Sequence, residues 1–232
     1  MPISLRARFL CVCALPLLAV PARAQQHDPQ LWLQVNTTLS VADHVRLTLE
    51  QIARFSDRQQ GLYQTEFGSL LSYRVTDGID IGFGYRKVGS HNGNRNADED
   101  RLRQQVVGTF GPVTTRLRVD ERFDPRGPEV GIRIRPLLRY NLRLGTGRLA
   151  LFGSHESFVL PNSTAWGQRS GYERMRNIVG VVVPLSRDMT ADVGYLNQYR
   201  FARDGARPQM DHALTLQLNI SVSSLDLPNL ND

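Results

Sequence analysis

The stretch from Glu129 to Gly147, EVGIRIRPLLRYNLRLGTG, alternates between apolar and polar side chains over more than a dozen residues. Its even positions from Ile132 to Leu144 are apolar except for one proline, and its odd positions carry four arginines. Successive side chains of a β-strand point to opposite faces, so this pattern predicts a strand with one apolar and one arginine face. Strands of soluble proteins usually have about five or six residues. The fold must therefore accept an unusually long strand with two unlike faces.

The same two-residue period recurs along the chain, and no segment shows a convincing helical period. Eleven alternating runs cover residues 31–39, 45–49, 63–75, 79–86, 101–110, 113–122, 132–144, 149–151, 179–185, 189–201 and 214–222. Short turns are predicted at SVAD, VTDG, FGPV, LGTG and LSRD, and longer polar loops at residues 56–61, 90–100, 124–128, 161–171 and 202–209. The sequence therefore predicts one domain, a meander with short turns at one end and longer loops at the other.

Long alternating strands of this kind predict an all-β fold, an antiparallel up-and-down transmembrane β-barrel of 10–12 strands. A bilayer crossing takes about 9–11 strand residues, and lipid leaves backbone groups satisfied only in helices and closed barrels. Aromatic residues near strand ends, such as Tyr195, Tyr199 and Phe201, suit an interfacial girdle. A soluble sandwich or barrel is the alternative, with the apolar faces inside. Because single-chain bacterial barrels normally have an even number of strands, ten or twelve is expected.

The first 24 residues have the organisation of a secretory signal peptide. Arg6 and Arg8 precede the apolar segment FLCVCALPLLAV, and the small-residue motif ARA ends at Ala24. We expect cleavage near Ala24, a barrel over residues 25–222 and a C-terminal tail over residues 223–232. The expected location is the bacterial outer membrane, with outer-membrane lipid as a partner. No run of 18 apolar residues follows Ala24, so no membrane-spanning helix is expected.

Removal of the signal peptide lowers the net positive charge of the chain and removes both of its cysteines. The chain has 28 basic and 22 acidic residues, a net charge of +6, and residues 1–24 hold three of the arginines and no acid. The remaining 25 against 22 leaves +3, so no nucleic-acid partner is predicted. Cys11 and Cys13 both lie in the signal peptide, which excludes disulfides, catalytic thiolates and cysteine metal sites from the exported chain.

Several motifs in a fixed order resemble a known family. These are VDERF at residues 119–123, RIRPLLRYNLRL at residues 133–144, HESF at residues 155–158 and GYLNQYR at residues 194–200. The chain, from LWLQV to its last strand, resembles a family of bacterial outer-membrane proteins, domain of unknown function 2490. The resemblance implies an outer-membrane β-barrel and carries no activity, substrate or catalytic residue. In one departure, the last strand ends near Val222 and a polar tail follows, where many such barrels end on an aromatic residue.

If the apolar faces meet lipid, the polar faces point into the lumen. The residues predicted to line the lumen and to bind anions are Arg116, Arg118, Arg122, Arg133, Arg135, Arg139, Arg143, Arg174, Arg176, Arg200, Asp120 and Asp192. One hypothesis is a packed lumen with a structural role, in which arginines pair with acids and nothing passes. The other is a narrow channel that favours small anionic solutes, because arginines outnumber acids on these faces. The sequence leaves the oligomeric state open.

An enzymatic alternative rests on His155 and Ser157, which share one strand face. Such a pair on the outer face of a barrel resembles the lipid A 3-O-deacylases, so the alternative function is a lipid A-modifying esterase. Glu173 is the nearest carboxylate that the sequence offers as a third member. The main expectation is a protein that is not an enzyme. The five histidines lack metal-ligand spacing, and no metal or cofactor is predicted.

Overall fold

The computed structural model describes residues 26–203 and 205–222. The predicted signal peptide and the predicted tail over residues 223–232 lie outside the described residues. The described chain is all-β and forms one closed barrel. Its strands are β1 (Gln26–Ala42), β2 (Val45–Ser56), β3 (Gly61–Thr76), β4 (Ile79–Ser90), β5 (Glu99–Phe110), β6 (Val113–Phe123), β7 (Val130–Arg143), β8 (Ala150–Leu160), β9 (Gly171–Pro184), β10 (Met189–Arg200) and β11 (Gln209–Val222).

Each strand pairs with its sequence neighbours in antiparallel fashion, and β1 closes the barrel by pairing with β11 in parallel. The parallel register runs from Gln26 opposite Gln209 to Leu39 opposite Val222. Eleven strands lie within the predicted range of 10–12, but the expectation of an even count is wrong. An odd meander brings its first and last strands together in the same direction, and a parallel ladder satisfies both edges.

The connections have the predicted asymmetry. At the short-turn end, β1–β2, β3–β4 and β5–β6 are joined by two residues each, at 43–44, 77–78 and 111–112. The long-loop end carries the connections over residues 57–60, 91–98, 124–129, 161–170 and 201–208. In the part of the chain that the structure describes, no helix is long and apolar enough to cross a membrane.

The two faces of the barrel wall have opposite chemistry. The outer face carries exposed apolar side chains such as Phe83, Leu138 and Val179, whose exposed fractions are 54%, 56% and 60%. The inner face holds buried charged groups, including Asp120 and Asp211, which have no exposed area. Strands about 4.8 Å apart and tilted by about 40° give an eleven-stranded barrel a backbone diameter of about 22 Å. Inward side chains from facing walls therefore fill much of the interior.

A small apolar cluster lies in the barrel interior. Trp32 packs with Leu196 and Ala213, and Ile178 lies against them, so this cluster joins β1, β9, β10 and β11. It lies beside the parallel closure and supports the junction of the first and last strands. The rest of the barrel interior is dominated by charged and amide side chains.

The parallel closure predicts a specific thiol crosslink. Val35 and Leu218 are register partners on the outer face, so a Val35→Cys/Leu218→Cys variant should be joined by a short bis-thiol reagent. The matched control pairs Val35→Cys with Leu214→Cys, which lies about 13 Å further along β11 and should not react. Mass spectrometry of the linked peptides is the measurement. Equal crosslinking of both pairs, or crosslinking of the control alone, would contradict the register.

Candidate functional site

A cavity of about 1050 Å³ occupies the lumen and extends to the long-loop end of the barrel. All eleven strands and the longer loops contribute to its wall. Among the described residues, seventeen arginines and eight carboxylates line it, which leaves nine positive charges in excess. A second cavity of about 460 Å³ lies at the short-turn end, and Gln105 and Val107 line both cavities. The two cavities therefore adjoin at these two residues.

Ten of the twelve predicted lumen residues line the larger cavity. They are Arg116, Arg118, Arg122, Arg133, Arg135, Arg139, Arg174, Arg176, Arg200 and Asp192. Asp120 is fully buried among them, in contact with two arginines. Arg143 is exposed at the end of β7 and lines neither cavity. The geometry thus brings eleven of the residues together, and anion binding by them stays a prediction.

One ion-pair network, which we call the Glu66 network, connects β2 to β6. Arg86 donates to Glu66 over 2.6 Å and to Glu50 over 2.7 Å, and Arg103 reaches Glu50 at 2.5 Å. Its members are Glu50, Arg54, Glu66, Arg86, Glu99, Arg101, Arg103 and Arg122. Three carboxylates therefore hold five guanidinium groups in fixed positions along the wall.

A second network, the Glu156 network, connects β6 to β9. The Glu156 carboxylate accepts from Arg116 at 2.5 Å, from Arg135 at 2.9 Å and from Arg176 at 3.5 Å. Arg135 also contacts Asp120, which Arg133 binds at 2.6 Å. The Phe158 ring is 2% exposed and lies within 5.7 Å of four guanidinium groups, those of Arg133, Arg135, Arg174 and Arg176. Carboxylates and an aromatic face thus share the stabilisation of these cations.

Arg118 differs from the other buried arginines of the wall. It is 5% exposed, and its Nε and Nη2 both donate to Oε1 of Gln105, over 3.0 and 2.7 Å. Within the described chain, no carboxylate lies in ion-pair range of it. Its charge is therefore held beside the junction of the two cavities by the neutral amide of Gln105.

The β8–β9 loop folds over the rim at the long-loop end. The indole of Trp166 donates to the carbonyl of Glu129, and the amide of Gln168 donates to the carbonyl of Ile132. Arg122 in turn donates to Gln168 over 2.9 Å. In the neighbouring loop, a hydrogen bond from Arg126 lowers the pKa of the Asp124 carboxyl. The rim of the larger cavity is therefore ordered by contacts that run from loop to strand.

The outer face carries a separate polar cluster on β8 and β9. His155 Nε2 lies 3.0 Å from the hydroxyl of Ser157, and His155 Nδ1 lies 2.7 Å from Oδ1 of Asn177. The Ser157 hydroxyl is also 2.8 Å from the hydroxyl of Tyr172. Glu173, which the sequence offered as a third member, is not part of this cluster, so that expectation is wrong. A register shift between Phe158 and Val159 turns Glu173 into the lumen, where it pairs with Arg174.

Sequence reasoning missed Asn177, Tyr172 and Gln168. The signal for Asn177 is present but needs the register of two strands, because it lies directly opposite His155. In the sequence, nothing distinguishes Tyr172 from the other aromatic residues near strand ends. Gln168 acts from a loop that has no periodic pattern. Each of these roles depends on contacts between segments rather than on a local motif.

Comparison with known proteins identifies the family of this chain. Residues 29–209 match the model of the family described as "Protein of unknown function (DUF2490)". The chain belongs to this family. It is also similar to an uncharacterised protein of Methylorubrum extorquens, with 34% identity over 228 residues, which covers 92% of this chain and 98% of the relative. The expected family is thus confirmed.

Removal of the central carboxylate of the Glu156 network should destabilise the barrel. In Glu156→Gln, Arg116 and Arg176 lose the carboxylate that neutralises them, and uncompensated buried charges of this kind cost about 3–5 kcal/mol. Urea unfolding in detergent micelles, followed by the fluorescence of Trp32 and Trp166, measures the free energy of unfolding. The control, Glu121→Gln, changes an outer-face residue and should stay within about 0.5 kcal/mol of the parent. Equal stability of the two variants would show that the network contributes little.

Proposed function

We propose that the protein is an outer-membrane β-barrel whose lumen is a narrow, arginine-lined path that favours small anions. Its outer face lies against outer-membrane lipid, and residues 25–222 act as one domain. The observation that carries the proposal is the opposite chemistry of the two faces of the wall. In water, exposed side chains such as Phe67 and Leu71 would form a large apolar surface, whereas lipid accommodates them.

The size and shape of the barrel are compatible with a bilayer. The described strands have 11–17 residues, and about 9–11 are enough for a tilted crossing. The closed ladder pairs the edges of every strand, including β1 with β11. This matters because an unpaired backbone group costs several kcal/mol in hydrocarbon. Exposed aromatic residues near the strand ends, such as Tyr172 and Phe110, support an interfacial position for both rims.

Preference for anions is supported by the positive charge of the cavity wall. Nine positive charges remain after the carboxylates on the wall are counted. Among the described residues, buried guanidinium nitrogens without a hydrogen-bond partner belong to Arg54, Arg86, Arg103, Arg116 and Arg174. These nitrogens are buried out of reach of a solute, but the charge of their guanidinium groups adds to a positive lumen that attracts an anion and repels a cation.

The ion-pair networks limit what can pass. They hold eight of the seventeen described arginines of the cavity wall in fixed positions, and the two cavities adjoin at Gln105 and Val107. The proposed path is therefore far narrower than a general porin, and its conductance should be small. The hypothesis of a packed, purely structural lumen remains the competing account. The two accounts differ in one measurable property, which is current through a single barrel.

Planar-bilayer recording tests the proposal. The purified protein should insert and give small openings whose reversal potential in a salt gradient indicates anion preference. Arg118→Gln should reduce that preference, because it removes a positive charge beside the junction of the two cavities that is hydrogen-bonded to the neutral amide of Gln105. The control, Arg187→Gln, changes an exposed turn arginine outside both cavity walls and should leave selectivity unchanged. Cation preference would contradict the proposal, and insertion without openings would favour the packed lumen.

A further inference from the structure

A row of polar side chains crosses the outer face between β8 and β11. His155 is the register partner of Asn177, Asn177 of Asn197, and Asn197 of His212, so the four side chains lie side by side on successive strands. The surrounding outer face is apolar, with Leu138 and Val179 more than half exposed. Polar groups on a surface that meets lipid are costly and mark functional positions. Packing alone therefore does not explain why polar side chains occupy these four positions.

The hydrogen bonds within the row impose a proton arrangement. The Oδ1 atom of Asn177 can only accept, so the Nδ1 atom of His155 must carry the proton that it shares with Asn177. In a neutral imidazole the Nε2 atom is then an acceptor. The hydroxyl of Ser157, 3.0 Å away, donates to it. A nucleophile, a base and a group that orients the base are thus connected in the order that serine hydrolases require.

We propose that Ser157, His155 and Asn177 form an acyl-ester hydrolase site on the outer face of the barrel, and that its substrate is an acyl ester of a membrane lipid. Ser157 is the nucleophile, His155 is the general base, and Asn177 is a positioning residue. The identification of lipid as the substrate rests on the proposed function, because it requires the outer face to meet the bilayer.

The position of the site along the strand fits a lipid ester. Ser157 lies three residues before the end of β8 at Leu160, about 10 Å along the strand from the rim. The rings of Tyr172, Tyr199 and Phe201 pack at the same end. The centroid of the Phe201 ring lies 4.9 Å from that of Tyr172 and 4.9 Å from that of Tyr199. Aromatic residues of this kind mark the boundary between headgroups and acyl chains, where lipid esters lie. The nucleophile is therefore at the depth of the bond that it would attack.

The surface beside the site has room for an acyl chain. Gly153 lies on the outer face two residues before His155, and a Cβ atom placed there would meet no atom of a non-adjacent residue within 4 Å. Its register partners Tyr140 and Val179 are 50% and 60% exposed and form the two sides of this notch. The notch lies about 13 Å along β8 from Ser157, on the far side of His155. An acyl chain whose ester carbon lies at Ser157 would pass His155 and reach this notch on its way to the membrane interior.

The chemistry balances with water as the only co-reactant. The Oγ atom of Ser157 bonds to the ester carbonyl carbon while its proton passes to Nε2 of His155. The carbon–oxygen bond to the leaving alcohol then breaks, and that alcohol takes the proton from His155. Water repeats the sequence on the acyl-serine and releases a fatty acid. The Tyr172 hydroxyl, 2.8 Å from Ser157 Oγ, is the donor nearest to the oxyanion that forms.

The test uses the full-length protein in detergent micelles, with p-nitrophenyl butyrate and p-nitrophenyl palmitate as substrates. Ser157→Ala and His155→Ala should each lower kcat at least 1,000-fold. Asn177→Ala should lower kcat about tenfold or more with little change in KM, and Asn177→Asp should restore it. The control, Ser69→Ala, removes an outer-face serine on β3 and should leave the rate unchanged. A fluorophosphonate probe should label Ser157 in the parent and in Ser69→Ala, and should leave His155→Ala largely unlabelled.

Two further arms identify the substrate. Gly153→Leu should lower palmitate hydrolysis at least tenfold and spare butyrate, because it fills the notch. Vesicles of phosphatidylethanolamine and vesicles that contain lipid A, analysed by mass spectrometry, distinguish the two sources of acyl ester. Equal loss of both activities in Gly153→Leu, or release of fatty acid from neither vesicle, would overturn the lipid assignment.

The hydrolase and the membrane barrel can fail separately. Hydrolysis and labelling in micelles do not require bilayer insertion, whereas the recordings described above do. If the parent hydrolyses both esters no faster than Ser157→Ala and the probe does not label Ser157, the hydrolase site is wrong, whatever the recordings show. If Ser157 is active and the protein does not insert into bilayers, the proposed function is wrong and the esterase site stands.

Discussion

Pairing between buried arginines and carboxylates is the interaction on which the barrel depends. With the apolar side chains on the outer face, the wall must place its charged side chains inside, in an interior about 22 Å across between backbone centres. Isolated charges in such a space would be prohibitively unfavourable. Glu66 and Glu156 each accept from several guanidinium groups, so each carboxylate stabilises more than one strand. The networks therefore act as the core of this protein.

Arginine is suited to this role for a geometric reason. Its guanidinium group carries five donors in a plane and stacks on aromatic rings, so one side chain can bind two carboxylates or a carboxylate and a ring. Arg135 does both, because it contacts Asp120 and Glu156 and lies 4.7 Å from the Phe158 ring. Lysine, a single point charge, would not reproduce this. The excess of arginine over acid then leaves a positive lumen as a consequence of how the wall is built.

The sequence predicted the properties that follow from a local period, and it could not predict those that depend on long-range register. Alternation from Ile132 to Leu144 placed apolar and arginine faces on β7, and the structure agrees. The parallel closure was not predictable, because it joins residues about 180 positions apart. The prediction that Glu173 joins His155 and Ser157 was wrong for a related reason. Its parity places it on the outer face, and the register shift after Phe158 reverses it. Asn177 could be found only once β8 and β9 were aligned.

In the proposed membrane barrel, β7 presents its even positions to lipid and its odd positions to a water-accessible lumen. Site-directed spin labelling in lipid vesicles tests it directly, with single nitroxides placed at successive positions from Ile134 to Tyr140. Labels at Ile134, Leu138 and Tyr140 should collide mainly with dissolved oxygen, and labels at Arg135 and Arg139 mainly with a water-soluble nickel reagent. Collisions with oxygen and with the nickel reagent should alternate strictly from one position to the next along the strand. High nickel accessibility at the even positions, or no alternation, would contradict it.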